Sequence, residues 1–149
     1  MKQAYNVNNK QFLLEQSLRY LIILSKLYPM EVDKYKLLYL DFITCYITVN
    51  ELGNILLPVG SKRTSLYLNE KEVVNSLKIL LSKDLIDYSI INDSYKANAN
   101  SRWFIDSFTN SYCEKIQQYV EITVASYGYY SKEQLEKLAN KNINEEGQK

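Results

Sequence analysis

The sequence has no histidine. That absence removes every His-based triad, Cys–His dyad, imidazole metal site and His general base. Cysteine is nearly as scarce. Cys45 and Cys113 form no CxxC pair and cannot close a zinc site alone. Neither has a basic neighbour to lower its pKa, so both read as small, inert, buried residues. Only 4 Gly and 2 Pro occur in 149 residues, which excludes a collagen-like or linker-rich chain. Neither sign of charge is in excess. Eighteen basic and 17 acidic residues leave +1, too little to draw the chain onto nucleic acid or membrane. Long apolar runs are missing too. Tyr20–Leu24 is far too short to span a bilayer, and the polar, Asn-rich Met1–Lys10 does not read as a targeting segment. The expectation is a cytoplasmic protein with no cofactor, no metal, no catalytic residue and no membrane partner.

What is present is helical periodicity and tyrosine, 14 residues of it. From about Lys10 to Tyr28, apolar residues recur at three- and four-residue spacings until Pro29. Tyr20–Leu24 is apolar nearly all round, so the middle of this helix should be central to the core. Asp33 is placed to cap a second helix running to about Thr48. Val49–Leu68 is both apolar and broken by Gly53, Pro58 and Gly60. Such a segment must cover its own core or a partner. Asn69, with Glu72 three residues on, is expected to open a third helix through a capping box. Leu85–Ile91, the turn Asn92-Asp93-Ser94 and Tyr95–Ala99 read as a β-hairpin. A short helix around Trp103, Phe104 and Phe108 follows, then a longer one to Tyr127. Ser131 and Gln134 form a second capping box before a last short helix through Leu138.

The fold class expected is mainly α: a winged-helix-like core of three helices and a β-hairpin, with a C-terminal helical extension. The domain reading is a flexible N-terminus over residues 1–9, a single domain over 10–139 and a disordered tail over 140–149.

A recognition helix would present Lys71, Asn75, Lys78 and Ser82 on one face, where possible DNA contacts would fall. Residues 54–83 hold five basic and two acidic side chains, but residues 84–99 set Asp84, Asp87 and Asp93 against Lys96 alone. An acidic hairpin repels the phosphate backbone. Arg, best suited to reading guanine, is limited to Arg19, Arg63 and Arg102. Asp41 lies in an apolar run with no second carboxylate at catalytic spacing, so a structural Asp is expected. Trp103, beside Phe104, is expected in the core. Tyr129 and Tyr130 stand open to core packing or to an interface. The candidate partner-binding residues are therefore Ile55, Leu56 and Leu57 as apolar anchors, Lys62 and Arg63 as a polar rim, and Tyr129 and Tyr130.

Several words of the sequence resemble a bacterial family. Lys36-Leu37-Leu38-Tyr39-Leu40-Asp41-Phe42 is similar to its LLYLDYLL signature, and Leu80-Leu81-Ser82-Lys83-Asp84-Leu85-Ile86 to its L-L-x-x-G-L-I/V step. Tyr95-Lys96-Ala97, Phe104, Ser111-Tyr112 and Tyr127-Gly128 before Ser131 continue the series. The family is the middle component of ABC-type three-component defence systems, of which the Lamassu anti-phage systems are examples. The resemblance spans about residues 10–143. It implies a non-catalytic accessory subunit linking an SMC-like ABC ATPase that senses DNA to an effector, typically a nuclease. DNA would be met only through the complex. Two positions depart from the pattern: Glu70 falls where a basic pair is usual, and Asp84 replaces the usual Gly. The alternative is a winged-helix DNA-binding transcriptional regulator.

Overall fold

A computed structural model describes residues 2–53, 62–108 and 110–147. Helix α1 spans Lys2–Leu27. Tyr20–Leu24 are all buried, because α2, α4, α5, α6 and β2 pack around α1. The all-round apolarity of this stretch thus reflects a helix segment enclosed on every side. Beyond Pro29, Val32 exchanges two backbone hydrogen bonds with Tyr95, each 2.8 Å. This bridge ties the α1–α2 connection to the hairpin.

Helix α2 spans Lys34–Ile43. Asp33 caps it as the sequence predicts, its Oδ1 accepting from the Tyr35 and Lys36 amides at 2.9 Å. The helix continues through a π turn at Thr44–Thr48 into α3, Val49–Glu51. Inside that turn the Thr44 and Thr48 hydroxyls lie 3.0 and 2.7 Å from Thr123 Oγ1 of α6. The wider π turn thereby brings two polar groups to one buried partner.

Helix α4 spans Lys62–Ser82, so its start lies a full two turns before the expected one. Asn69 is no cap. It sits mid-helix and buried, its carbonyl accepting from Gln16 Nε2 at 3.2 Å. Glu72 closes no box either; it accepts from Asn75 Nδ2 at 3.0 Å. Local capping preference loses here to tertiary packing, with Leu66 resting against Phe42, Ala139 and Ile143. The helix ends in a Schellman motif: Leu85 N bonds Leu80 O and Asp84 N bonds Leu81 O, each 3.0 Å.

Strands β1 (Ile86–Ser89) and β2 (Ser94–Ala97) pair antiparallel, with Ile86 opposite Ala97 and Asp87 opposite Lys96. Helix α5, Ala99–Asp106, opens with a capping box between Asn98 and Ser101. Helix α6, Ser111–Tyr127, is capped by Asn110, whose Oδ1 accepts from Cys113 N at 2.8 Å. It closes on Gly128, where an added Cβ would stand 2.5 Å from Val124 O. No side chain fits there without a shift.

Ser131 and Gln134 form the expected box, Gln134 Oε1 accepting from Ser131 N at 2.9 Å and Ser131 Oγ from Gln134 N at 3.2 Å. The helix they open, α7, runs Lys132–Gly147 and is not short. Leu135, Ala139 and Ile143 repeat every four residues and are buried, the last two against Phe42 of α2. Lys141, Asn144 and Glu145 are exposed on the outer face of this docked helix. Among the described residues, no helix is long and apolar enough to cross a membrane.

Candidate interaction surfaces

The one carboxylate set in an apolar run proves to be half of a buried ion pair. Arg19 Nε donates to Asp41 Oδ1 at 2.7 Å and Arg19 Nη2 to Oδ2 at 3.1 Å, with the side chains 3% and 0% exposed. Burial works against the guanidinium charge, but the Asp41 charge and hydrogen bonds, together with Cys45 and Tyr112, more than offset it and hold Arg19 well above its ordinary pKa. Cys45 Sγ lies 3.8 Å from Asp41 Oδ1, and burial followed by the Asp41 charge pushes its thiol well up. A thiol so placed is a poor nucleophile. The structural reading of Asp41 thus stands, and Arg19 is the partner that sequence reasoning missed. Among the described residues, no three His, Cys, Asp or Glu side chains gather as metal ligands.

The hydrophilic face of α4 is where the spacing put it. Lys71, Asn75, Lys78 and Ser82 are all exposed. Lys71 Nζ sits 4.7 Å from the Tyr67 ring centroid, and Asn75 is engaged by Glu72. The hairpin, whose β1 packs on α4, is more acidic than its own sequence suggests, because Glu31 joins it. Glu31 Oε2 accepts from Asn92 Nδ2 at 2.8 Å and Ser94 Oγ at 3.0 Å, and these bonds hold its carboxyl below the ordinary range.

The expected partner-binding residues fall into three groups. Ile55, Leu56 and Leu57 lie outside the described residues. Lys62 is half-buried at the start of α4, with Nζ donating to Asn142 Oδ1 of α7 at 2.7 Å, while Arg63 beside it is exposed. Tyr129 is 89% exposed and Tyr130 is exposed with its ring edge-to-face on Tyr127. The α6–α7 corner that carries them is fixed from α2, where Lys36 Nζ donates to Gly128 O at 2.8 Å.

Trp103 corrects the sequence reading outright. It is 74% exposed on α5, not in the core. The α5 register turns Ser101 and Ile105 inward, Ser101 Oγ reaching Leu85 O, and so turns Trp103 outward. Phe104 and Phe108 face the protein instead. They help line an apolar cavity of about 270 Å³ with Leu14, Leu18, Ile79 and Tyr112, between α1, α4 and α6.

No curated protein and no solved structure matches the chain. A family model does, over residues 9–149, and its description is the ABC-three component (ABC-3C) system Middle Component 2. The match takes in every described helix from α2 onward, the buried pair's Arg19 and Asp41, and Tyr129 and Tyr130. This chain belongs to the ABC-3C system Middle Component 2 family.

Proposed function

We propose that the protein is a non-catalytic adaptor of a Lamassu-like anti-phage or anti-plasmid complex, joining an SMC-like ABC ATPase to an effector nuclease. Membership of a middle-component family carries this reading. Outward-facing Trp103, Tyr129 and Tyr130 support it, since exposed Trp and Tyr are the side chains that anchor protein interfaces. On this reading the chain has no turnover of its own and serves as a scaffold. The Val49–Leu68 segment remains a proposed partner surface, with Ile55, Leu56 and Leu57 as anchors and Lys62 and Arg63 at its rim. The test is co-purification with the other two components. Changing Leu56 and Leu57 to Ser should abolish assembly while the melting temperature stays nearly unchanged. Normal assembly by this variant moves the interface elsewhere, with Tyr129 and Tyr130 next to be changed.

A second reading is a winged-helix DNA-binding regulator. It draws on the exposed Lys71–Asn75–Lys78 face and on the order of helices before the β1–β2 hairpin, to which Val32 adds a single-residue bridge at Tyr95. The acidic hairpin weighs against it, because phosphate contacts supply most non-specific affinity. Sub-micromolar sequence-specific binding at physiological salt would establish it over the adaptor reading.

A further inference from the structure

We infer that the β1–β2 hairpin tip is a protein-docking knob: Ile90 and Ile91 enter an apolar socket rimmed by Lys or Arg on another component of the complex. The inference rests on the adaptor reading and adds a site to it. Ile90 is 86% and Ile91 95% exposed, side by side on a turn. Hairpin turns favour Gly, Asn, Asp and Ser, and turn geometry asks for no β-branched pair. Folding gains almost nothing from two side chains left in water.

The tip is also held still. Tyr88 Oη donates to Asp93 Oδ1 at 2.6 Å, and Asn92 N donates to Ser89 Oγ at 3.3 Å. Glu31 clamps Asn92 and Ser94 from outside the hairpin, and the Val32–Tyr95 bridge anchors the second strand. Isoleucine has little rotamer freedom to lose, so a fixed pair of them is pre-organised for binding.

Charge selects the partner. Glu31 and Asp93 flank the isoleucines, with Asp87 further down the ladder, and Lys96, which faces Asp87 and acts on the Glu31 charge, offsets only part of the three. This acidic collar repels nucleic-acid phosphate and anionic lipid. It complements a socket with basic side chains at its edge.

The experiment uses the full chain with the other two components of its system. Four proteins are compared: wild type, Ile90→Ser/Ile91→Ser, the conservative Ile90→Val/Ile91→Val, and the charge-neutral Glu31→Gln/Asp93→Asn. The serine pair should weaken assembly by about tenfold or more for each isoleucine removed, with an unchanged melting temperature. The valine pair should lose much less, about fourfold for each methylene removed. The Gln/Asn pair preserves the hydrogen-bond acceptors and should weaken assembly several-fold at low salt, with a flatter salt dependence. Wild-type assembly that survives the serine pair unchanged overturns the knob while leaving the adaptor reading intact. No assembly by wild type overturns both. Equimolar phosphatidylserine–phosphatidylcholine vesicles and duplex DNA are run in parallel. Binding to either that depends on Ile90 and Ile91 would also overturn a protein socket.

Discussion

Arg19 and Asp41 meet in a two-point ion pair, 2.7 and 3.1 Å, sealed between α1 and α2. The geometry suits the planar guanidinium, and lysine could not reproduce it. Removing one partner strands a buried charge. Arg19→Met should therefore cost about 3–5 kcal/mol in chemical denaturation. The double variant Arg19→Met/Asp41→Leu should recover most of that loss, because two apolar groups need no solvation. A double variant as unstable as the single one would show that the site needs the pair itself.

Asp84 occupies the left-handed position of the α4 Schellman motif, with φ at 55°. Glycine takes that conformation without Cβ strain. Asp84→Gly should raise stability by about 0.5–1 kcal/mol, the strain relieved exceeding the added freedom of the unfolded chain. The main-chain bonds that Asp84 O accepts from Asn98 and Asn100 survive the change. A lower melting temperature would mean that the Asp84 carboxylate bond to Asn100 matters more than the backbone.

Local chemistry was the legible part of this fold. Asp33, Ser131 and Gln134 cap where their spacing says. Asn69 misled because packing, not side-chain chemistry, carried α4 through it: its backbone carbonyl accepts from Gln16 while its buried Oδ1 finds no partner among the described residues. The α7 end misled because one apolar residue per turn, Leu135, Ala139, Ile143, suffices when a complementary face on α2 awaits it. Arg19 and Asp41 are 22 positions apart, and periodicity carries no signal for such a pairing. Trp103 lies beside Phe104, and adjacency in a helix places the two side chains about a hundred degrees apart. The exposed Ile90 and Ile91 were legible only as strand formers.

Trp103 is the sole tryptophan, which makes its environment directly readable. Its 74% exposure predicts red-shifted emission in the isolated chain and efficient quenching by iodide. If α5 faces a partner, assembly should shift the emission to the blue and protect it from quencher. A blue-shifted, protected indole in the isolated chain would return Trp103 to the core.

Glu31 links pH to the order of the hairpin tip. Bonds from Asn92 and Ser94 lower its pKa below the ordinary 4.5. The folded value is depressed, so the carboxylate's contribution is fully present above the ordinary value. It fades as pH falls through the lower folded value. Amide and side-chain resonances of Asn92 and Ser94 should be constant from neutral pH down to about 5 and move only in more acid solution. Glu31→Gln should remove that acid transition. A transition that persists in the variant would assign it to another group.

The adaptor account is tested most directly by asking whether this chain is what holds the other components together. The ATPase and effector of the same system are co-expressed with and without it, and the assemblies are weighed by native mass spectrometry. The account predicts that the two associate in its presence, in a single particle containing all three, and separate in its absence. An ATPase–effector particle that forms equally well without this chain, or a chain that joins neither, would contradict it.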